Sequence, residues 1–219
     1  MKYFSQFPMT TVTDDFGNSI QVVDILERTE IIPTLMNNAQ LFYSYDIQDG
    51  DTPDIISSKY YSSPDRYWMV IYSSNVLDAQ GEWPMGPNLF NEYIIDKYSG
   101  ITSNVLSISA NTVTPQQILA YTQATIQQYI KNVTTTDSIT NNSNTISYII
   151  DQSAFANTIQ GTQMVQFNTG AYSTITTTTY PQYIYDYEMQ LNESKRTINL
   201  LNSGYAGTLE NQLSTLLGQ

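Results

Sequence analysis

The sequence predicts an α+β fold from observations on three parts of the chain. Between residues 41 and 78, an alternating strand pattern precedes two helix starts, each with a proline. Between residues 98 and 185, Thr, Ser, Asn and Gln surround several strand candidates. Beyond residue 181, apolar residues recur at helical spacing. We therefore expect a small core of strands and helices, an N-terminal arm, a β-containing insertion and C-terminal helices.

The core segment begins with a strand and a turn. Tyr43, Tyr45 and Ile47 alternate with polar residues, as in a strand with one buried face. The acidic turn that follows contains Gly50, which takes a positive φ at little cost. A reversal of the chain is expected there.

Two helix starts follow that turn. Thr52-Pro53-Asp54 and Ser63-Pro64-Asp65 each combine an N-cap, a proline suited to the first turn and an acid near the positive end of the helix dipole. Residues 67 to 72 are all apolar or aromatic, and Pro64 favours a helix over a strand for them. We expect that helix to end near Asn75.

Composition excludes several classes of function. The 219 residues include no Cys and no His, so thiolate sites, His-ligated metals and Ser-His-Asp triads are ruled out. The net charge of -12 would repel a phosphate backbone, so no nucleic-acid partner is expected. No stretch approaches the about 20 apolar residues of a membrane span, and no signal peptide is recognisable. We expect synthesis and assembly in a cytoplasm, without a membrane partner.

Four carboxylates lie close together at Asp46, Asp49, Asp51 and Asp54. Two of them could flank a sugar as acid and base, as in glycosidases. Their strand, turn and helix-start positions already explain them, and their spacing differs from that of a calcium loop. We therefore expect no catalytic residue, no metal and no cofactor.

A spaced set of aromatic, apolar and turn residues extends along the core segment. Its members are Tyr43, Tyr45, Ile47, Gly50, Asp51, Thr52, Ile56, Tyr60 or Tyr61, Tyr67, Val70, Ile71 and Asn75. This pattern resembles a LysM module, the small βααβ unit best known for binding N-acetylglucosamine chains. The resemblance implies a LysM-like βααβ core.

A second pattern lies near the C-terminus, in Tyr185, Tyr187, Glu188, Asn192, Glu193, Lys195, Arg196 and Ile198. It resembles the tail segment of the LysM-like baseplate wedge proteins of contractile phage tails. That family also tends to carry an Asp-Ile-x-x-Arg element before its LysM-like part and a tryptophan soon after it. Asp24, Ile25 and Arg28 match the first, and Trp83 matches the second.

The resemblance implies a structural component of a baseplate wedge, without enzymatic activity, in which the LysM-like module packs between neighbouring subunits. It implies multiple copies in a ring, contacts with other wedge proteins and the sheath-initiator subunit, and a place in the virion after assembly in the host cytoplasm. The candidate interface residues are Asp24, Ile25, Arg28, Gly50, Asp51, Thr52, Asn75, Asp78, Tyr187, Glu188, Asn192, Glu193 and Arg196.

A glycan-binding module is the alternative function. It would hold N-acetylglucosamine between residues 50 to 52 and the loop of residues 75 to 78. The C-terminal element has no use in that function, which favours the wedge component. Trp83 is expected to be a core residue rather than a sugar-stacking one.

The region from Tyr98 to Tyr185 contains only three charged residues, Lys131, Asp137 and Asp151. A helix is expected from Thr114-Pro115 through Ile130, with strands at residues 145 to 150, 163 to 167 and 172 to 179. Exposed sheet edges are normally protected by charge or proline. We therefore expect these edges to be covered, either internally or by another subunit through strand addition. The alternative is a polar loop region with little order.

The two ends of the chain complete the prediction. Residues 10 to 13 and 20 to 23 favour a hairpin, and Asp24 is expected to cap a short helix or to pair with Arg28 on the surface. A helix is expected from residue 182 to 201, stopped by Gly204, with a Glu193 to Arg196 ion pair. A last helix would present Leu209, Leu213, Leu216 and Leu217, either to its own core or to a partner. The expected domains are 1–40, 41–97, 98–181 and 182–219.

Overall fold

The computed structural model describes residues 7–24, 38, 40–78, 81–109, 112–167 and 170–217. Its strands and helices are, in chain order, β1 (Met9–Thr13), β2 (Ser19–Val23), β3 (Phe42–Asp46), α1 (Pro53–Tyr61), α2 (Tyr67–Ser73), α3 (Pro87–Leu106), α4 (Pro115–Ala124), β4 (Ile126–Asp137), β5 (Ser143–Ile150), α5 (Gln152–Asn157), β6 (Gly161–Gln166), β7 (Tyr172–Tyr183), α6 (Ile184–Glu193), β8 (Thr197–Leu201) and α7 (Ala206–Leu216). Every strand pair among the described residues is antiparallel. The mixed helix and sheet class is confirmed.

The chain divides into two compact units at points that composition alone does not mark. Unit 1 consists of Met1–Gly86 and Asn192–Gln219, and unit 2 is Pro87–Leu191. The expected boundaries after residues 97 and 181 fall instead inside α3 and β7. Ile25, Arg28 and the short helix expected after Asp24 lie outside the described residues.

Unit 1 contains two separate pairs of strands. β1 and β2 form the predicted hairpin, from Met9 opposite Val23 to Thr13 opposite Ser19. β3 pairs with β8, from Phe42 opposite Leu201 to Asp46 opposite Thr197. The strand that pairs with β3 therefore comes from the far end of the chain.

Local chemistry explains how α1 and α2 begin and end. Thr52 is extended with Pro53 at the helix start, and Pro64 opens a 3-10 turn of residues 64 to 66 that leads into α2. Gly50 has φ +86, as the turn requires, and Asn75 has φ 54 two residues after the end of α2. These features were predicted from the sequence and are confirmed.

The core of unit 1 joins residues from all its parts. The buried cluster is Phe7, Ile47, Ile56, Tyr61, Trp68, Met69, Val70, Ile198, Leu200, Ala206, Leu213 and Leu217. Leu213 and Leu217 therefore answer the open question about the last helix, because part of its apolar stripe packs in its own unit. Leu216 of the same stripe is exposed.

The predicted helix from residue 182 to 201 is wrong at both ends. β7 continues to Tyr183, α6 ends at Glu193, and β8 begins at Thr197. Backbone bonds from Lys195 to Asn192 and from Arg196 to Glu193 form a turn between α6 and β8. Ile198 and Leu200 are buried in the alternating manner of a strand, because the edge of β3 offers hydrogen-bond partners that a helix would not use. Gly204 lies in a 3-10 turn before α7 and does not end a helix.

Unit 2 is built on a four-stranded sheet with the order β5-β4-β7-β6. The three predicted strands are confirmed as β5, β6 and β7, with ends shifted by a few residues. The start of α4 is also confirmed, because Thr114 and Gln117 form a capping box.

The end predicted for α4 is wrong, since the helix stops at Ala124 and β4 begins at Ile126. β4 pairs with β5 on one side and with β7 on the other. This backbone pairing favours a strand over the helix that the spacing of Ile126 and Ile130 predicts. The segment that begins at Pro87 forms the 20-residue helix α3. None of the described helices is long and apolar enough to cross a membrane.

Candidate partner interface

The turn of residues 50 to 52 is held together by the carboxylate of Asp51. This buried group accepts hydrogen bonds from Tyr45 Oη at 2.6 Å and from the backbone N of Gln48 at 3.2 Å, and its other oxygen lies 2.6 Å from Lys59 Nζ. Burial alone would raise the pKa of Asp51, but the bonds from Lys59, Tyr45 and Gln48 hold it below its ordinary value. The bond to Asp51 raises the pKa of Tyr45 to about 12. Asp51 therefore serves the fold with both of its oxygens.

Gly50 and Thr52 lie on the surface beside Asp51. The Thr52 hydroxyl donates to the carboxylate of Asp54, and its carbonyl accepts from Ile56 N at 3.0 Å. The predicted side-chain cap at Thr52 is therefore absent, although the helix starts as expected. What this turn presents to a partner is mainly its backbone at Gly50 and the side chain of Thr52.

Trp83 belongs to the core of unit 1. Its half-buried ring packs against the buried cluster, and Nε1 donates to the backbone O of Asp51 at 2.9 Å. Both the face and the polar edge of this side chain are thus used internally, which is the arrangement expected of a core tryptophan.

Asn192 fixes the segment that carries Trp83. Its Oδ1 accepts from Met85 N at 2.7 Å and its Nδ2 donates to Met85 O at 2.9 Å. Lys195 Nζ donates to Gly81 O at 2.7 Å. A buried amide that satisfies both backbone groups of one residue is costly to replace. Asn192 therefore positions the segment that carries Trp83 within unit 1.

Arg196 connects the C-terminal turn with the turn after β3. Its Nη1 donates to Ile47 O at 3.0 Å, Nη2 lies 2.7 Å from Asp49 Oδ1, and Nε pairs with Glu193. The predicted Glu193 to Arg196 pair is thus present. The bonds to Glu193 and Asp49 raise the pKa of Arg196 further above its ordinary value. These groups line an open depression of about 730 Å³ formed by Asp46, Ile47, Gln48, Asp49, Glu193, Arg196 and Thr197.

The loop of residues 75 to 78 is held by Glu82, a residue that the sequence patterns did not single out. Glu82 Oε2 accepts from the backbone N of Leu77 at 2.6 Å and of Asp78 at 3.1 Å. Asn75 and Asp78 are both exposed. The loop is therefore ordered by a local carboxylate, at a spacing of four and five residues that resembles many surface turns.

Tyr187 and Glu188 lie in unit 2, apart from the other C-terminal residues. The buried carboxylate of Glu188 accepts from Tyr98 Oη at 2.7 Å, Lys97 Nζ at 2.8 Å and Tyr93 Oη at 3.2 Å. Burial would raise the pKa of Glu188, but these bonds lower it. The partners on α3 were not predicted, because they precede Glu188 by about 90 residues and no local pattern connects them. Tyr187 is half-buried.

The candidate residues therefore fall into four groups, one of which is the surface loop that carries Asn75 and Asp78. Residues 50 to 52 and 192 to 196 come together in unit 1 through the pairing of β3 with β8, while Tyr187 and Glu188 belong to α6 in unit 2. Asp24 directly follows β2 and donates its backbone N to Pro8 O at 2.8 Å. Ile25 and Arg28 lie outside the described residues.

The β1 and β2 hairpin of unit 1 exposes several apolar side chains. Phe16 at its tip is 90% exposed, and Met9, Val12, Ile20 and Val22 on its strands are also exposed. The turn itself is ordered by the carboxylate of Asp14, which accepts from Phe16 N and Asn18 N at 2.9 and 2.8 Å. The turn thus holds the Phe16 ring in an ordered, exposed position.

Comparisons with known proteins add no relative. No family model matches the chain, and no curated protein matches it. Among the described residues, no group of three or more His, Cys, Asp or Glu side chains is arranged to hold a metal ion.

Proposed function

We propose that this chain is a structural component of the baseplate wedge of a contractile phage tail, with a LysM-like βααβ module that packs between neighbouring subunits. The observation that carries the proposal is the internal use of Asp51, the central residue of the turn that a glycan would contact. Asp51 has donors at both carboxylate oxygens, and its carbonyl accepts from Trp83. These groups of Asp51 are not offered to a glycan, which favours a packing role over a glycan-binding one.

The arrangement of unit 1 supports a LysM-like core. β3, α1, α2 and β8 follow the βααβ order, with unit 2 inserted before the last strand. Ser73 Oγ and Ser74 Oγ donate to Asn199 O at 2.8 and 3.0 Å, and Tyr61 Oη donates to Leu201 O at 2.8 Å. Both helices are thus bonded to β8. The core stretch and residues 192 to 198 of the C-terminal stretch thus belong to one small module, whereas Tyr185, Tyr187 and Glu188 belong to unit 2.

The exposed hairpin supports a role in assembly. The net charge of -12 makes much of the surface repel other acidic proteins, yet β1 and β2 expose Phe16 and four further apolar side chains. A protein partner would remove this apolar surface from water, as a polar glycan would not. The proposed partners are other wedge proteins and the sheath-initiator subunit, around a ring of copies.

The proposal places the protein in the virion, after assembly in the host cytoplasm, and gives it no enzymatic role. Nucleic acid and membrane are not among the proposed partners, and the net charge of -12 would repel a phosphate backbone.

Two parallel pull-downs test the proposal. The tagged chain is exposed to purified peptidoglycan and, separately, to lysate that contains the other products of its gene neighbourhood. We expect tail proteins to co-purify and peptidoglycan to retain nothing. Phe16→Asp should reduce the co-purification, while the matched control Asp15→Asn, in the same exposed turn, should not.

Saturable retention on peptidoglycan that is lost in Thr52→Trp would overturn the proposal and identify residues 50 to 52 as a glycan site. Failure of every tail protein to co-purify with a folded chain would also overturn it.

A further inference from the structure

The edge strand β5 has an unpaired side. It pairs with β4 through all eight of its residues, from Ser143 opposite Thr136 to Ile150 opposite Tyr129, and no other described strand pairs with it. In an antiparallel ladder, alternate residues of an edge strand direct N–H and C=O groups away from the sheet. β5 therefore carries a row of backbone donors and acceptors that a further strand can use.

None of the usual protections is present on this edge. β5 has the sequence SNTISYII, without charge, proline or glycine, and its register with β4 has no bulge. Ile146, Tyr148 and Ile149 are 49%, 48% and 71% exposed. The strand is also held firmly at its end, because Phe155 of α5 packs on Tyr129 of β4 with ring centroids 4.6 Å apart. A rigid, apolar and uncharged edge is suited to pairing.

The opposite edge of the sheet, β6, is a poorer site. It has six residues, begins at Gly161 with φ +151, and contains two β-branched residues where β5 has four. β6 therefore offers fewer ladder bonds and less packing to an added strand. This difference makes β6 a natural internal control.

Charge indicates the occupant of the β5 edge. The region from Tyr98 to Tyr185 carries one positive and two negative residues and so contributes -1 to a net charge of -12. The negative charges of two copies repel each other over most of their surfaces. At the nearly uncharged β5 edges this electrostatic repulsion is almost absent. A strand that faces itself across a two-fold axis also forms a closed pair, whereas β5 against β6 would extend without limit.

We infer that β5 pairs antiparallel with β5 of a second copy, which joins two four-stranded sheets into one of eight strands. Side chains alternate between the two faces of a strand. The apolar side chains of both copies therefore lie on the same face of the joined sheet only when the residue numbers of each opposing pair add to an even number. A two-fold axis at Ser147 meets this condition and sets Ile146 opposite the partner's Tyr148, a β-branched and aromatic pair. This inference concerns the chain by itself and does not depend on the wedge proposal.

Sedimentation velocity of the purified full chain tests the pairing, over a concentration series at pH 8, far from the sequence pI of 4.1. We expect a monomer to dimer equilibrium. Ile146→Lys should shift it to monomer by at least tenfold in the dissociation constant, because the edge then carries a charge. Val165→Lys on β6, at a residue 43% exposed, is the matched control and should leave the dimer intact. Circular dichroism checks that both variants are folded.

Cross-linking tests the register, because the natural chain has no cysteine. Under mild oxidation, Ser147→Cys should give a disulfide-linked dimer, while Gln163→Cys on β6 should stay a monomer. A wild-type chain that remains monomeric, equal loss of dimer in both lysine variants, or a dimer in which only Gln163→Cys cross-links would each overturn the inference. The pull-down measures binding to tail proteins, whereas sedimentation and cross-linking measure pairing between copies of the chain. Failure of one proposal is therefore distinguishable from failure of the other.

Discussion

The β3 and β8 pair of unit 1 and the four-stranded sheet of unit 2 use polar residues in opposite ways. In unit 1, polar groups are turned inward and matched: Asp51 binds Lys59 and Tyr45, and Asn192 binds Met85. In unit 2, a row of threonines crosses the sheet at its surface, in which Thr145, Thr134, Thr176 and Thr162 lie opposite one another. Matched buried groups specify one arrangement, whereas a surface of uniform hydroxyls leaves the sheet open to added strands.

Further polar interactions in the two units differ in the same way. In unit 1, Arg66 joins the first half of the module to α7 through a two-bond pair with Glu210, with Nε to Oε1 at 3.0 Å and Nη2 to Oε2 at 3.1 Å. In the sheet of unit 2, the hydroxyls of Thr134 and Thr145 bond each other at 2.8 Å, where water competes for both groups. Unit 1 is therefore the source of specific stability, and the sheet of unit 2 is the source of adaptable surface.

The largest effect should come from the core of unit 1. Ile56 is 1% exposed, and Ile56→Ala should lower the free energy of unfolding by about 2 to 5 kcal/mol, from lost burial and a cavity. Chemical denaturation followed by tryptophan fluorescence measures it, because both tryptophans, Trp68 and Trp83, lie in unit 1. The neighbouring exposed Ile55 is the control, and Ile55→Ala should cost well under half as much. Equal losses would show that Ile56 is not a core residue.

Asp51→Asn should have the next largest effect, a loss of about 1 to 3 kcal/mol at pH 7, since a charged acceptor of a buried network is removed. The pKa of Asp51 is lowered in the folded state, so its contribution is present above the unfolded pKa and is lost as pH falls through the folded one. Wild type and variant should therefore converge below about pH 4. Asp15→Asn, at an exposed turn, should change stability at neither pH. A gap that persists in acid would contradict this account.

Glu188→Gln tests how much the inward network at the helices of unit 2 contributes to stability. Loss of the charge that Lys97, Tyr93 and Tyr98 share should destabilise the contact between α3 and α6 by about 1 to 2 kcal/mol. Hydrogen exchange of peptides from these helices should accelerate by roughly tenfold. Glu92→Gln, on the exposed side of α3, serves as the control. Unchanged exchange in Glu188→Gln would mean that the charge of Glu188 does not stabilise the contact between α3 and α6.

The smallest effect is expected from Trp83→Phe, which keeps an aromatic ring but removes the bond from Nε1 to Asp51 O. We expect a loss of about 0.5 to 1.5 kcal/mol in unit 1, measured through the fluorescence of Trp68. Trp83→Ala, which also removes the ring, should cost more. If the two variants are equal, the indole nitrogen and not the packed ring carries the contribution.

Much of the local structure could be predicted because caps and turns act over a few residues. The prolines at 53, 64 and 115 mark helix starts, Gly50 marks a turn, and the hairpin of β1 and β2 follows from its residue types. The candidate residues of the core module could be found because their spacing resembles a known pattern. Their roles could not, since Asn192 and Arg196 act on residues more than 100 positions away.

The sequence by itself determined the mixed class, the positions of helix starts and turns, and a nearly uncharged middle region, because these depend on composition and short-range hydrogen bonds. Tertiary structure decided that residues 126 to 137 and 197 to 201 are strands. It also decided which groups surround Asp51 and Glu188. The physical reason is that a segment with both helical and strand patterns takes the form for which a partner is present, and those partners lie far along the chain.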